Sequence, residues 1–319
     1  MKNLEALINQ AKVAYYNGKP FIADEVYDRL LDQHNISETV GTDVSSSDNR
    51  YPHAFQMYSL QKVYAGDSHP NYEGEAVIVT PKLDGAAVSL QYIRGKLNMA
   101  LTRGDGKYGI DITEKIKHLV PCELWTDEAE STKIMQITGE VVAPLSIENA
   151  RNYAAGALNL KDIEEFKQRD LYFIAYGVQP YPTNNFVEDM HLLSEWGFET
   201  AIDSYFVEFP KDGDVWRVID NAYFEKLGYT SHHPRGAFAK KKRQEGVVTT
   251  LLDVTWQVGK SGCVSPVGIL EPIKIGDATV SRVSLHNVAI IEALGLEIGC
   301  QVEVIRAGEI IPQVVARVD

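Results

Sequence analysis

Lys82, Asp84 and Gly85 stand in the run TPKLDGAAVSL, residues 80–90, where a lysine interrupts an apolar strand pattern and an acid and a glycine follow at once. A lysine so placed is either an ordinary strand end or a nucleophile. With a reference pKa near ~10.4, its amine attacks only when desolvation or a neighbouring cation frees the lone pair. Attack on a nucleotide α-phosphate would give a lysyl phosphoramidate, with cationic side chains and metal-bound oxygens taking up the developing charge. The string alone is short enough to recur by chance, and its company is what sharpens it. Downstream lie TRGDG (102–106), TGEVVAP (138–144), YGVQ (176–179), DGDVWR (212–217) and FAKKK (238–242), each setting charged or aromatic side chains at a strand edge. Such groups can surround an amine with a nucleotide and a hard cation. Asp84, Glu140 and Asp212 are candidate carboxylates for Mg²⁺, which takes carboxylates together with phosphate oxygens.

The elements that must position these residues fall into three segments. Residues 1–55 read as a small helical unit: Leu4, Leu7, Ile8 and Ala11 recur at helical spacing, and FIADEVYDRLLDQHN sets Phe21, Val26, Leu30 and Leu31 on one face, with Asp24 at the N-cap position. GTDVSSSDNRYP (41–52) is polar and ends in proline, which predicts a linker. From about residue 56 the period changes to strands: AVIVT (76–80), AAVSLQYI (86–93), KLNMALTR (96–103), KIMQITGEVVAP (133–144), LYFIAYGVQ (171–179) and DVWRVID (214–220). Helical stretches IENARNYAAGAL and DMHLLSEWG lie between them without regular βαβ alternation, which predicts an α+β domain over 56–250. From residue 251 the texture is all-β and fits a small barrel of the OB kind.

The 319 residues, 45% hydrophobic and 24% charged, describe a globular chain long enough for two or three cores. No apolar run approaches the roughly 20 residues of a membrane span and no leader pattern opens the chain, so the expectation is no membrane and a cytoplasmic location, in a bacterium or an infected host. Cys122, Cys263 and Cys300 are too few for a four-cysteine zinc site, so no zinc is expected in this chain. The net charge of −13 argues on its face against a polyanionic partner, but its distribution reverses that reading. Residues 232–319 balance at +1, leaving −14 on the first 231, and PRGAFAKKKR (234–243) carries five basic side chains. A solvated basic face and phosphate contact both remain open for that run.

KLDG, TRGDG, GEV, ARNYAAGAL, YGV, DGDVWR, LGYTSHHPR and WQVGKSG, in that order, resemble the nucleotidyltransferase core of NAD⁺-dependent DNA ligases, an ATP-grasp-like ligase domain; TVSRVSLHN and VIRAGEIIPQV resemble that family's OB domain. AYYNGKPFIADEVYDRL is similar to the family's N-terminal module, which grips the nicotinamide mononucleotide (NMN) half of NAD⁺. The implied fold is therefore multidomain α+β: a helical NMN-binding module (1–55), an adenylation domain (56–250) and an OB barrel (251–319). The resemblance makes Lys82 the adenylated nucleophile, assisted by Asp84 and Lys241. It assigns nucleotide contacts to Tyr15, Tyr16, Asp24, Tyr27 and Asp28 in the first module. In the core it assigns them to Ser59, Leu60, Thr80, Leu83, Arg103, Glu140, Tyr176, Arg217 and Lys241. It implies Mg²⁺ or Mn²⁺ at Glu140 and Asp212, and phosphate contacts to nicked duplex DNA from Arg151, Lys260 and Arg306. NAD⁺ would be the adenylate donor, consumed as a substrate.

Departures accompany the matches. Thr80 replaces a glutamate common in the family, Arg217 stands where its acid-Gly motif ends in lysine, Asn159 replaces a second helical arginine, and the first module's Tyr-His pair reads Tyr15-Tyr16. EGVVTT (245–250) matches the acid-Gly-Val-Val motif by letters, but it follows LGYTSHHPR, so order favours Asp212 and EGVVTT is expected to lead into the barrel. His232 and His233 are expected to be solvated or nick-facing, and His286 a packed loop histidine. The family's zinc-finger, helix-hairpin-helix and BRCT regions have no counterpart here. That leaves a minimal ligase, one subunit of a two-chain ligase, or a fragment. An ATP-using nucleotidyltransferase of the RNA-ligase or capping type and a non-catalytic DNA clamp are the rivals.

Overall fold

The computed structural model describes residues 7, 8, 10, 11, 22, 26, 27, 30, 31, 50–64, 67–72, 74–124, 134–203, 208–231, 233–241, 246–258, 264–275, 278–307 and 311–319. The chain divides into two compact units, one formed by residues 1–44 with 244–319 and the other by residues 45–243. Among the described residues no helix is long and apolar enough to cross a membrane.

In the unit formed by residues 45–243 the strands run β1 (Arg50–Pro52), β2 (Gln61–Tyr64), β3 (Val77–Leu83), β4 (Ala86–Ile93), β5 (Lys96–Thr102), β6 (Tyr108–Ile110), β7 (Met135–Val142), β8 (Tyr172–Gln179), β9 (Glu199–Thr200), β10 (Lys211–Val218) and β11 (Ala237–Lys241). Helices α1 (Thr113–Ile116), α2 (Ala150–Leu158), α3 (Ile163–Lys167), α4 (Phe186–Glu195) and α5 (Asn221–Leu227) lie between them. The strands form a five-stranded sheet in the order β5-β4-β7-β8-β9, a four-stranded sheet β2-β11-β10-β3, and the ribbon β1-β6. Alternation in β4 sends Val88, Leu90 and Tyr92 inward against Ile137 and Val141 of β7. Ala150, Ala154 and Ala157 bury the small-residue face of α2 in that same core. Burial of this apolar surface is the main force holding the helices to the sheet.

The chain passes from one sheet to the other with only two residues between strands at β3 and β4: β3 belongs to the four-stranded sheet and β4 to the five-stranded one, so Asp84 and Gly85 carry the crossing. A Cβ on Gly85 would stand 2.2 Å from the Val141 carbonyl oxygen, so only glycine lets β7 approach the turn this closely. The strand-rich reading of 76–220 is reproduced, with one correction at its edge. Arg50–Pro52, the end of the expected linker, instead form β1 and pair with Tyr108–Ile110. Their partner strand lies beyond the TRGDG turn, too distant in sequence for a local pattern to show.

In the other unit, β12 (Val247–Val258), β13 (Val264–Ile275), β14 (Ala278–Ser284), β15 (Gln301–Ala307) and β16 (Ile311–Arg317), with α6 (Val288–Ala293) before β15, close a barrel in the order β12-β13-β14-β16-β15. This is the OB architecture. Val247–Thr250 of EGVVTT pair with Val304–Gln301 of β15, so these residues are already barrel wall, where the sequence had suggested a strand leading to it. In the first helical segment Leu7, Ala11, Ile22, Val26 and Leu30 are buried in the same apolar cluster as Leu251, Leu270, Val302 and Val314 of the barrel.

Replacing Gly85 by alanine is expected to lower unfolding stability by roughly 1–3 kcal/mol, because the new methyl meets backbone that cannot rotate away. Urea denaturation checks this; an unchanged midpoint would mean that β7 can retreat freely.

Candidate active site

Lys82 lies near the end of β3, opposite an irregularity in β10. Pairing runs from Lys211 with Leu83 to Asp214 with Pro81, leaving one extra residue in β10, a bulge. Gly213 takes φ +150°, and a Cβ there would stand 2.3 Å from the Lys240 carbonyl oxygen. The bulge turns Asp212 to face two lysines: Lys82 Nζ lies 2.8 Å from Oδ1 and Lys241 Nζ 2.8 Å from Oδ2. Burial works to raise the Asp212 pKa, but the two ammonium groups together hold it below the usual carboxylate range. Lys82 keeps 28% of its side chain exposed, so a substrate can reach it. Beyond the crossing, Arg151 Nε on α2 lies 3.2 Å from Asp84 Oδ1.

The five-stranded sheet supplies the facing groups. Glu140 on β7 sits beside Ala87 of β4, and burial pushes its pKa up to about 7; Asp84 adds to the rise, while Lys82, Arg103 and Arg151 oppose it. Tyr176 on β8 is crowded by the same groups, its hydroxyl pushed upward by burial first and by Glu140 second. The Arg103 backbone N–H donates to the Ala87 carbonyl oxygen, and Nη2 donates to Ser59 Oγ at 2.7 Å. Arg103 Nε is buried and has no hydrogen-bond partner among the described residues, an orphan donor that a bound acceptor would satisfy. His53 fixes this corner: Nε2 donates to the Arg103 carbonyl oxygen and Nδ1 lies 2.7 Å from Ser89 Oγ. Sequence reasoning missed His53, because nothing in RYPHAF marks it.

Lys82, Asp84, Arg103, Glu140, Arg151, Tyr176, Asp212 and Lys241 thus gather about one crossing, with Ser59 tied to Arg103. Four cations and three carboxylates in a partly desolvated space suit a polyphosphate bearing a cation. The metal ligand set needs a correction. Both Asp212 oxygens are taken by ammonium groups, so Glu140 alone of the two expected ligands is placed to offer a carboxylate. Among the described residues no group of three or more His, Cys, Asp or Glu gathers as a protein-built metal site.

Two further expectations change. Arg217 pairs with Ile78, four residues along β3 from Lys82, or about 13 Å. Its guanidinium is buried between the rings of Phe186 and Phe224, 4.2 and 4.3 Å from their centroids, and donates to the Val218 carbonyl oxygen and Asn221 Oδ1. It is a structural cation, separate from the phosphate cluster. Leu83 points into a small core with Val142, Ile174 and Phe209 rather than toward a ligand. Arg151, expected to serve phosphates or the nick, is paired with Asp84 inside the lysine cluster. Thr80 is buried on β3 and Leu60 is partly buried just before β2. Tyr27 packs on the barrel-containing cluster, and Arg306 Nη1 lies 3.5 Å from the Ile275 carbonyl oxygen. His233 closes a turn with Thr230, and His286 adopts φ +58°. Tyr15, Tyr16, Asp24, Asp28, His232 and Lys260 lie outside the described residues.

Comparison with known families gives two matches in chain order: the NAD-dependent DNA ligase adenylation domain over residues 45–207 and the NAD-dependent DNA ligase OB-fold domain over residues 248–319. The chain belongs to the NAD-dependent DNA ligase family. Curated DNA ligases of Aquifex aeolicus and Lawsonia intracellularis are 33% and 31% identical to it over 98% and 99% of its length, covering 53% and 56% of theirs. The chain therefore spans about half the length of the curated relatives it matches. Among solved structures, mycobacterial DNA ligase D complexed with ATP and MES aligns at a TM-score of 0.36 and 10% identity, over 81% of this chain and 94% of that one.

Two expectations follow for this ligase-family site. Arg217→Met should cost about 2–4 kcal/mol of stability by stranding Asn221 and two ring faces, measured by urea denaturation. Unchanged denaturation with lost nucleotide affinity would return Arg217 to the phosphate cluster. For Glu140, the folded pKa lies above the unfolded one, so folding favours the protonated form; that contribution is present below about pH 4.5 and lost as pH rises through about 7. Wild type should therefore lose stability relative to Glu140→Gln between pH 5 and 8, measured by parallel thermal melts, and a constant difference would contradict the shift.

Proposed function

We propose that this chain is the catalytic core of an NAD⁺-dependent DNA ligase that takes AMP from NAD⁺ onto Lys82 and passes it to the 5′-phosphate at a nick in duplex DNA. The observation carrying this reading is the Lys82–Asp212–Lys241 bridge facing Glu140, Arg103 and Tyr176, in a chain of this family. At rest the ammonium of Lys82 is paired with Asp212. Once Nζ has lost its proton, it forms a bond to the α-phosphorus of NAD⁺, the bond from that phosphorus to the NMN oxygen breaks, and NMN leaves. The 5′-phosphate oxygen of the nick then attacks the lysyl-AMP phosphorus and frees Lys82. Finally the neighbouring 3′-hydroxyl attacks the activated 5′-phosphate and AMP departs, leaving a phosphodiester.

In this reading Lys241, Arg103 and Arg151 neutralise phosphate charge, Tyr176 stacks on adenine, and Ser59 and Leu60 border the nucleotide. Asp84 orients Arg151. Glu140 would hold Mg²⁺ or Mn²⁺ together with phosphate oxygens and water, and the ion would supply charge neutralisation at the reacting phosphate. Residues 1–55, through Tyr15, Tyr16, Asp24, Tyr27 and Asp28, would select the NMN half. The adenylation domain would end before Val247, where the barrel wall begins, and the OB domain would run from there to 319. Arg151, Lys260 and Arg306 would serve DNA phosphates without base readout, so nick binding should weaken steeply with salt.

The test is incubation with nicked duplex, Mg²⁺ and NAD⁺ labelled in its adenylate, scoring covalent label and joined product together. Wild type should label and Lys82→Ala should not; labelling from ATP but not NAD⁺ would overturn the reading in favour of an ATP-using nucleotidyltransferase. Label without joining would point to a second subunit carrying the remaining modules. Asp28→Ala should abolish reaction with NAD⁺ yet still seal a pre-adenylated nick, whereas equal loss of both steps would refute its assignment to the NMN half.

A further inference from the structure

Residues 53–60 form a strap between the two sheets of the 45–243 unit. On the side of the five-stranded sheet, His53 meets Ser89 and Arg103. The Phe55 backbone N–H donates to Gln136 Oε1, and Gln136 Nε2 donates back to the Phe55 carbonyl oxygen. The Met57 N–H donates to the Gly106 carbonyl oxygen at 2.8 Å, and Ser59 accepts from Arg103. Three residues after Tyr58 the strap becomes β2 of the four-stranded sheet, where Gln61 pairs with Phe238. Tyr58 itself is stacked on Tyr229, ring centroids 4.5 Å apart and planes 23° from parallel.

Tyr229 belongs to the loop between α5 and β11, flanking strands of the four-stranded sheet. It is held from behind: its hydroxyl donates to Glu225 Oε1 on α5, Phe224 meets its ring edge-on at 6.2 Å, and Tyr181 donates to the same Glu225 oxygen. The ring that touches Tyr58 is therefore pre-set, and it contacts the strap one residue before Ser59. Hydrogen bonds tie the strap to one sheet and this stack ties it toward the other. The stack is thus a second tether of the strap, beside β2, on the side of the four-stranded sheet.

We propose that Tyr229 is a positioning residue that clasps Tyr58 and so holds Ser59 and Leu60 at the nucleotide site, tightening the binding of NAD⁺ without taking part in chemistry. The inference rests on the reading of that site as the adenylate pocket. A stacked pair of this kind supports an effect of roughly three- to tenfold on nucleotide affinity. Because the strap reaches the pocket through Ser59 and its partner Arg103, the loss falls on KM for NAD⁺ and leaves kcat for lysine labelling within about twofold.

The experiment measures initial rates of Lys82 labelling against NAD⁺ concentration for the full chain, wild type and Tyr229→Leu, Tyr58→Leu, the double variant and Tyr229→Phe, with a thermal melt of each. The expected result is a three- to tenfold rise in KM for each leucine variant, no further rise in the double variant, and recovery of most of the loss in Tyr229→Phe, which keeps a ring to stack. A KM within twofold of wild type in both leucine variants, or fully multiplicative losses in the double, overturns the clasp. If Tyr229→Leu does not fold, Tyr58→Leu with Tyr229→Phe decides by the same criteria. Failure of wild type to label from NAD⁺ overturns the site reading itself, an outcome visible before any variant is compared.

Discussion

Asp212 bridges the ammonium groups of Lys82 and Lys241, each at 2.8 Å, and its removal would leave two like charges uncompensated in a partly buried space. The bridge exists because β10 carries one residue more than β3 between their paired positions, with Gly213 taking a backbone shape that a side chain would block. In an unbulged pair, Asp212 would take the ordinary register and its carboxylate would not reach both amines. Lys82 is thus held as one arm of an ion triad.

Opposite that triad, the five-stranded sheet sets Glu140 and Tyr176 where burial raises the pKa of each. Two carboxylates near the same lysine are therefore pushed in opposite directions: Asp212 by two close cations, Glu140 by burial and by the neighbouring charge of Asp84. Such divergence is a mark of a site built for charge transfer rather than for stability. The crossing at Asp84–Gly85 makes the arrangement possible, since it is where one continuous stretch of chain serves both walls. Under the proposed reading the divergence has a chemical meaning, because an adenylate carried on an amine would need anion stabilisation from one side and a proton route on the other.

Arg217 shows how a local motif can mislead. It lies on the same face as Lys82, and DGDVWR appears to offer an acid and a base to one ligand. The extended backbone carries the two apart along the strand, and the rings of Phe186 and Phe224 enclose the guanidinium. The cation then completes a buried polar network in which Asn221 donates to Asp189 Oδ2 at 2.6 Å. Leu83 is the converse case: the family resemblance assigned it a nucleotide contact, but alternation along β3 turns it away from the Lys82 face, into the core.

The residues of the sequence by themselves determined the strand-rich texture from 76 to 220, the barrel texture of roughly the last seventy residues and the family to which the chain belongs, because period and ordered motifs are local properties of the chain. They also named Asp84, Arg103, Glu140, Tyr176, Asp212 and Lys241 as site candidates, each at a strand edge in a recognisable string, and the structure gathers them about one crossing. Only the tertiary structure decided that Asp212 serves two lysines, that Arg217 and Leu83 belong to the interior, that Arg50–Pro52 pair with a strand far along the chain, and that Tyr58 meets Tyr229. Those outcomes depend on register, on a single extra residue in one strand, and on which rings happen to flank a guanidinium. Contacts between residues up to 171 positions apart, as in Tyr58 and Tyr229, leave no periodic trace in either stretch, so composition and spacing had no means of expressing them.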